Sequence, residues 1–115
     1  MQYLLITYVD EAGWPQLTPA RQEQGLAAYA AFAQALSAQG AMIASGRLEP
    51  GVGARTVRVK DGRRQVLDGP FAETKEVLAG YFLIEAPNLD AAIDWAARCP
   101  ASGHGAVEVR GLWTT

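Results

Sequence analysis

The sequence predicts an α+β fold with an antiparallel sheet and two helices on one face, and three observations predict it. The spacing of apolar residues alternates between strand and helix periods in the order β-α-β-(β-hairpin)-β-α-β. That is a ferredoxin-like, split βαβ plan with extra hairpin length. The runs Tyr3–Val9 and Gly80–Ala86 are apolar on both faces, as expected of strands buried at the centre of a sheet. Asp61-Gly62, between two short β-rich runs, is the dipeptide of a two-residue hairpin turn.

In order, Tyr3–Val9 places Leu4, Ile6 and Tyr8 on one face and Tyr3, Leu5 and Val9 on the other. Asp10–Leu17 reads as a loop whose Trp14 is either a plug over the core or a lid on a pocket. Thr18 and Pro19 read as the cap and first residue of a helix running to about Gln39, with Gly40 as its stop. Its apolar stripe is Leu26, Tyr29, Ala30, Ala33 and Leu36, flanked by Phe32, and Gly25 inside it suggests close packing. Met42–Leu48 is a second strand whose small residues Ala44, Ser45 and Gly46 leave it twisted or leave room for a ligand. Glu49–Gly53 is a loop.

Arg55–Lys60 and Arg63–Leu67 form the hairpin. Their cations, Arg55, Arg58, Lys60, Arg63 and Arg64, read as a solvated face. Pro87-Asn88 caps a second helix with Leu89, Ala92, Ile93, Ala96 and Ala97 at helical spacing, bordered by Trp95. Ala101–Gly105 is a loop carrying the single histidine, His104, and Ala106–Trp113 is the last strand. With helices on one side only, the other face of the sheet, expected to carry Tyr3, Leu5, Tyr81 or Phe82, and Leu83 or Ile84, is too apolar for water, so a second copy of the chain is expected to cover it.

Half of the 115 residues are hydrophobic, enough for the core of one domain spanning 1–115. A net charge of −2 gives no electrostatic support for nucleic-acid binding. The lone cysteine, Cys99, excludes an internal disulfide and reads as a small buried hydrophobe. Met1-Gln2 leads straight into a strand-like run and no apolar segment has membrane-spanning length, so a cytoplasmic location without membrane contact is expected.

Chemistry-bearing residues gather in Asp68-Gly69-Pro70-Phe71-Ala72-Glu73-Thr74-Lys75-Glu76. Gly69-Pro70 forces a bend, and Asp68 is suited to start one. Asp68 and His104 are the candidate catalytic pair. Phe71, Glu73, Lys75, Glu76, Glu108 and Arg110 are candidate ligand contacts. A carboxylate beside Lys75 or His104 could be tuned for general acid–base work. A structural reading is equally open, with Asp68 capping the bend, Glu73–Glu76 starting a helical turn and Lys75 paired with a carboxylate. One His and one Cys build no usual zinc site, no phosphate loop or nucleophile elbow is present, and no cofactor is expected.

The same run resembles the signature of DGPF-domain proteins, a branch of the YCII-related (YciI-like) family. Tyr3-Leu4-Leu5-Ile6, Gly80-Tyr81-Phe82-Leu83-Ile84 and Val107-Glu108-Val109-Arg110 extend the likeness along nearly the whole chain. The resemblance implies a dimeric α+β barrel. It also implies two alternatives for function: a small-molecule binder or acid–base enzyme, and an accessory module associated with extracytoplasmic-function sigma factors. Relatives are thought to use a His-Asp pair with the histidine on the first helix. Here that helix has none, and His104 falls in a later loop.

Overall fold

The computed structural model describes residues 1–114. Strand β1 (Gln2–Val9) leads through a 3-10 turn (Glu11–Gln16) into helix α1 (Pro19–Ala38). Strand β2 (Met42–Arg47) follows, then a short turn (Gly51–Gly53) and a hairpin of β3 (Arg55–Lys60) and β4 (Arg63–Asp68). Strand β5 (Val77–Glu85), helices α2 (Leu89–Arg98) and α3 (Ala101–His104), and strand β6 (Ala106–Gly111) complete the chain. The main sheet has order β2-β5-β1-β6, antiparallel throughout, and β3-β4 form a separate two-stranded ribbon. The α+β plan with an antiparallel sheet and helices is therefore the one observed.

Local chemistry explains the element ends. The Thr18 hydroxyl accepts from the Arg21 amide at 3.2 Å and Pro19 opens α1. The Asn88 side-chain oxygen Oδ1 accepts from the Ala91 amide at 2.9 Å and opens α2. At the hairpin, Asp61 and Gly62 both have positive φ (53° and 73°), the geometry that matches the twist of the flanking strands.

The core lies between the helices and one sheet face. Tyr3, Leu5, Phe82 and Ile84 point into it from β1 and β5. Phe32 stands edge-on to Phe82 (centroids 5.0 Å apart, 88°) and to Trp95 (6.2 Å, 69°), joining α1, α2 and the sheet. The other face carries Leu4, Ile6 and Tyr8 of β1, paired across to Leu83 and Tyr81 of β5 and to Arg110 and Glu108 of β6. Tyr3 and Leu5 thus belong to the helix-covered face, not to the bare one. The β1–β5 register slips after Thr7: Thr7 faces Gly80 but Tyr8 faces Leu78, so β5 holds one extra residue.

Several expectations are corrected. Phe32, expected to flank the stripe of α1, is at its buried centre with Leu36, while Leu26 and Ala30 are exposed. On α2, Ala92 and Ala96 are buried, but Leu89, Ile93 and Ala97 face outward. α2 lies on small alanines, and the larger residues at the same spacing fall on its flank. The Asp10–Leu17 loop is mostly a 3-10 turn, and Ala101–Gly105 contains α3. β5 begins at Val77, three residues before Gly80, where it still pairs with Val9. β6 ends at Gly111, before Trp113.

Trp14 is half-buried against Gly25 of α1, with the Arg47 guanidinium 5.2 Å from its ring centroid. No helix among the described residues is long and apolar enough to cross a membrane. The described chain is flat, 47 × 45 × 18 Å, with a radius of gyration of 16.0 Å. A compact chain of this length would have roughly 13 Å.

Candidate functional site

An open cleft of about 720 Å³ lies at the end of β1 on the sheet face that no helix covers. β1 supplies Tyr8, the residue after its end supplies Asp10, and β6 supplies Ala106. The loop before β5 supplies Thr74, Lys75 and Glu76, and α3 supplies His104.

Backbone geometry brings these groups together. Asp10 Oδ1 accepts from the Ala12 amide at 3.0 Å and starts the 3-10 turn. In that turn Glu11 Oε1 accepts from the Gly51 amide at 2.8 Å, tying it to the segment before β3. The Thr74 hydroxyl donates to the Glu76 carbonyl and curls the loop on itself. α3 closes through the Gly105 amide donating to the Ala101 carbonyl at 2.8 Å, which leaves His104 beside the start of β6. Gly105 then presses against the Tyr8 carbonyl, where a side chain could not fit.

The Tyr8 hydroxyl donates to Glu108 Oε1 at 3.3 Å, and Arg110 Nε donates to Glu108 Oε2 at 2.6 Å. Burial and the neighbouring Glu108 carboxylate push the Tyr8 phenol above its ordinary value, against a smaller opposing effect of Arg110. Burial likewise raises the Cys99 thiol, which is enclosed and free.

The structure therefore divides the sequence candidates. Lys75, Glu76 and His104 share the cleft, with Glu108 and Arg110 next to it through Tyr8. Asp68, Phe71 and Glu73 lie at a second hollow of about 230 Å³ against the β3–β4 ribbon, together with Thr56, Arg58, Leu67 and Pro70. Asp68 and His104 are not in one cleft. Asp68 Oδ1 pairs with Arg55 Nε at 3.2 Å, and its side chain is 90% exposed. Phe71 lies under the Arg58 guanidinium, 5.1 Å from the ring centroid.

Residues Glu73–Glu76 form no helical turn, only a bend at Lys75 and Glu76, and Lys75 has no carboxylate partner among the described residues. The small residues of β2 leave less room than their size suggests. Gly46 faces Tyr81, whose Cε1 would stand 2.7 Å from a Cβ at position 46, so the ring already fills that space. Tyr8 and Asp10 are the site residues that sequence reading missed. Tyr8 looks like one more residue of an apolar strand, and only the antiparallel pairing of β1 with β6 places it beside His104.

Chemically, the cleft sets donors (Lys75, His104) against acceptors (Asp10, Glu76 and the Tyr8 phenol oxygen, whose own proton is given to Glu108). Such a set can hold a small polar molecule by complementary hydrogen bonds and pass a proton at its edge. Among the described residues no group of three His, Cys, Asp or Glu side chains could hold a metal ion.

Comparison with known proteins agrees with this architecture. An uncharacterised protein of Rhizobium meliloti (strain 1021) is 34% identical over 114 residues, covering 97% of this chain and 92% of its own. Among solved structures, the 5-chloro-2-hydroxyhydroquinone dehydrochlorinase of Burkholderia phenoliruptrix AC1100, in complex with 2,5-dihydroxybenzoquinone, has a TM-score of 0.59 at 15% identity. The match covers 100% of this chain and 96% of that one, and the likeness is one of fold. The model of the YCII-related domain matches residues 1–114, and the chain belongs to that family.

Proposed function

We propose that the chain acts as a homodimeric α+β barrel that binds a small polar molecule in the Tyr8–Lys75–His104 cleft and handles a proton there. The observation that carries this reading is position. The only histidine of the sequence and an unpaired lysine meet a buried-edge tyrosine at the rim of an apolar sheet face. A second copy over that face would remove Leu4, Ile6, Tyr81 and Leu83 from water and turn an open cleft into an enclosed one. Enclosure strengthens every polar contact inside.

In this reading Lys75 holds negative charge on the ligand and His104 accepts or returns a proton. Tyr8, its O–H held by Glu108, offers its phenol oxygen to the ligand as a hydrogen-bond acceptor. Asp68 shapes the signature loop through Arg55. The fold neighbour is a dehydrochlorinase whose complex holds a dihydroxybenzoquinone, a small planar ring with ionisable hydroxyls. The cleft has room for a molecule of that size.

A thermal-shift screen across small phenols, quinones and carboxylic acids tests the site. We expect one class to raise Tm, the response to be lost in His104→Ala and Lys75→Ala, and Asp68→Asn to retain it. A response that survives both cleft substitutions, or is lost only in Asp68→Asn, would move the site to the second hollow. Sedimentation tests the dimer, and a folded monomer at working concentration would remove it.

A further inference from the structure

The β3–β4 ribbon stands outside both the core and the cleft. Of its twelve strand residues only Thr56 is not exposed. One face meets the signature loop, through the Thr56 hydroxyl donating to the Gly69 carbonyl at 2.9 Å and Arg58 over Phe71. The opposite face has no cover. It carries Val57 paired with Val66, and Val59 paired with Arg64, with the three valines 58%, 51% and 71% exposed for Val57, Val66 and Val59. A lone two-stranded ribbon is marginal in water, and three bare valines on it are a liability for a chain that functions alone.

Charge identifies what covers it. Residues 55–68 hold five of the chain's ten cationic side chains against two carboxylates, while the remainder holds five cations against ten carboxylates. The ribbon is thus a positive arm on a negative body. The flatness of the molecule, with a radius of gyration well above that of a compact chain of its length, fits an arm built to reach beyond its own body.

We propose that the β3–β4 ribbon docks on the body of a second copy of this chain, its Val57–Val59–Val66 face against the partner and its cations beside the partner's carboxylates. The inference rests on the homodimer proposed above and adds where the two copies grip. Two copies related by a two-fold axis would exchange arms reciprocally, each positive arm meeting a negative body.

Lys60 and Lys75 are the only lysines, which makes the test clean. Unlabelled and heavy-nitrogen-labelled protein are mixed, exchanged and coupled with a carbodiimide, which joins amine to carboxylate without a spacer. We expect Lys60 to appear in peptides that combine a light and a heavy chain. We also expect Val57→Thr/Val66→Thr, which keeps side-chain shape and strand preference, to weaken the dimer by about tenfold or more in sedimentation equilibrium. High salt should weaken it as well. An unchanged dimer in the double variant would overturn the arm while leaving the dimer standing. Lys60 alternates with the valines along β3, so where it links only within one chain or forms no link, the double variant decides. A monomeric wild-type protein would remove both proposals.

Discussion

Gly105 lies against the carbonyl of Tyr8 so closely that a Cβ at position 105 would overlap the oxygen and come to 3.1 Å from the carbonyl carbon. The clash is with backbone at the last pair of the β1–β6 ladder, Tyr8 with Ala106, so neither side can yield without opening that end of the pairing. Gly105→Ala is expected to cost about 2–4 kcal/mol in urea unfolding and to separate His104 from Tyr8. A stability change within about 0.5 kcal/mol would show that the approach is not as tight as described.

Gly25 gives the opposite expectation. A Cβ there would meet the Trp14 ring at 3.4 Å, an ordinary contact, inside a twenty-residue helix. Alanine removes the entropy penalty of glycine, so Gly25→Ala should stabilise by up to about 1 kcal/mol. A loss of stability, measured the same way, would mean that Trp14 needs the bare backbone.

Phe32 and Leu26 separate the true face of α1 from the apparent one. Phe32 touches both Phe82 and Trp95 and is buried, so Phe32→Ala should cost about 3–5 kcal/mol. Leu26 is 47% exposed, and Leu26→Ala should cost less than about 1 kcal/mol. Equal losses would place Leu26 in the core after all.

Tyr8 should leave a signature at high pH. Its folded pKa lies above its unfolded value, so the neutral phenol stabilises the fold below the ordinary tyrosine range. That contribution is lost as pH rises through the raised folded value. Glu108→Gln removes the carboxylate's share and leaves burial. Tyr8 should then titrate lower, followed by NMR of its ring carbon, and the variant should lose less stability between neutral and strongly alkaline pH. Tyr29 and Cys99 are also raised by burial, but they are common to both proteins and cancel in the comparison. An unchanged Tyr8 titration would show that the hydrogen bond to Glu108 is absent in solution.

Much of the architecture was legible in the chain because its signals are local. Thr18-Pro19, Pro87-Asn88 and Asp61-Gly62 each act within four residues, and each marks an element end in the structure. Helix faces were read less well. Spacing pointed to Leu26, Ala30, Leu89 and Ile93, but which side of a helix meets the sheet is decided by the sheet, and Phe82 draws Phe32 inward. The site was harder still. Asp68, at the end of β4, and Lys75, in the loop that follows, are only seven residues apart, yet they line two different hollows. His104 meets Tyr8 across almost the whole sequence, through strand pairing that no local pattern announces.

The extra residue that β5 carries opposite Thr7 and Tyr8 has an effect beyond the sheet. A chain lacking Ala79 could keep the pairs Thr7 with Gly80 and Tyr8 with Leu78, yet it would lose the bend that the surplus residue imposes. Thr74, Lys75 and Glu76 precede that bend, separated from it by the paired residues Val77 and Leu78. The course of the chain that leads into β5 from the cleft is then tied to a count of backbone units in a neighbouring strand.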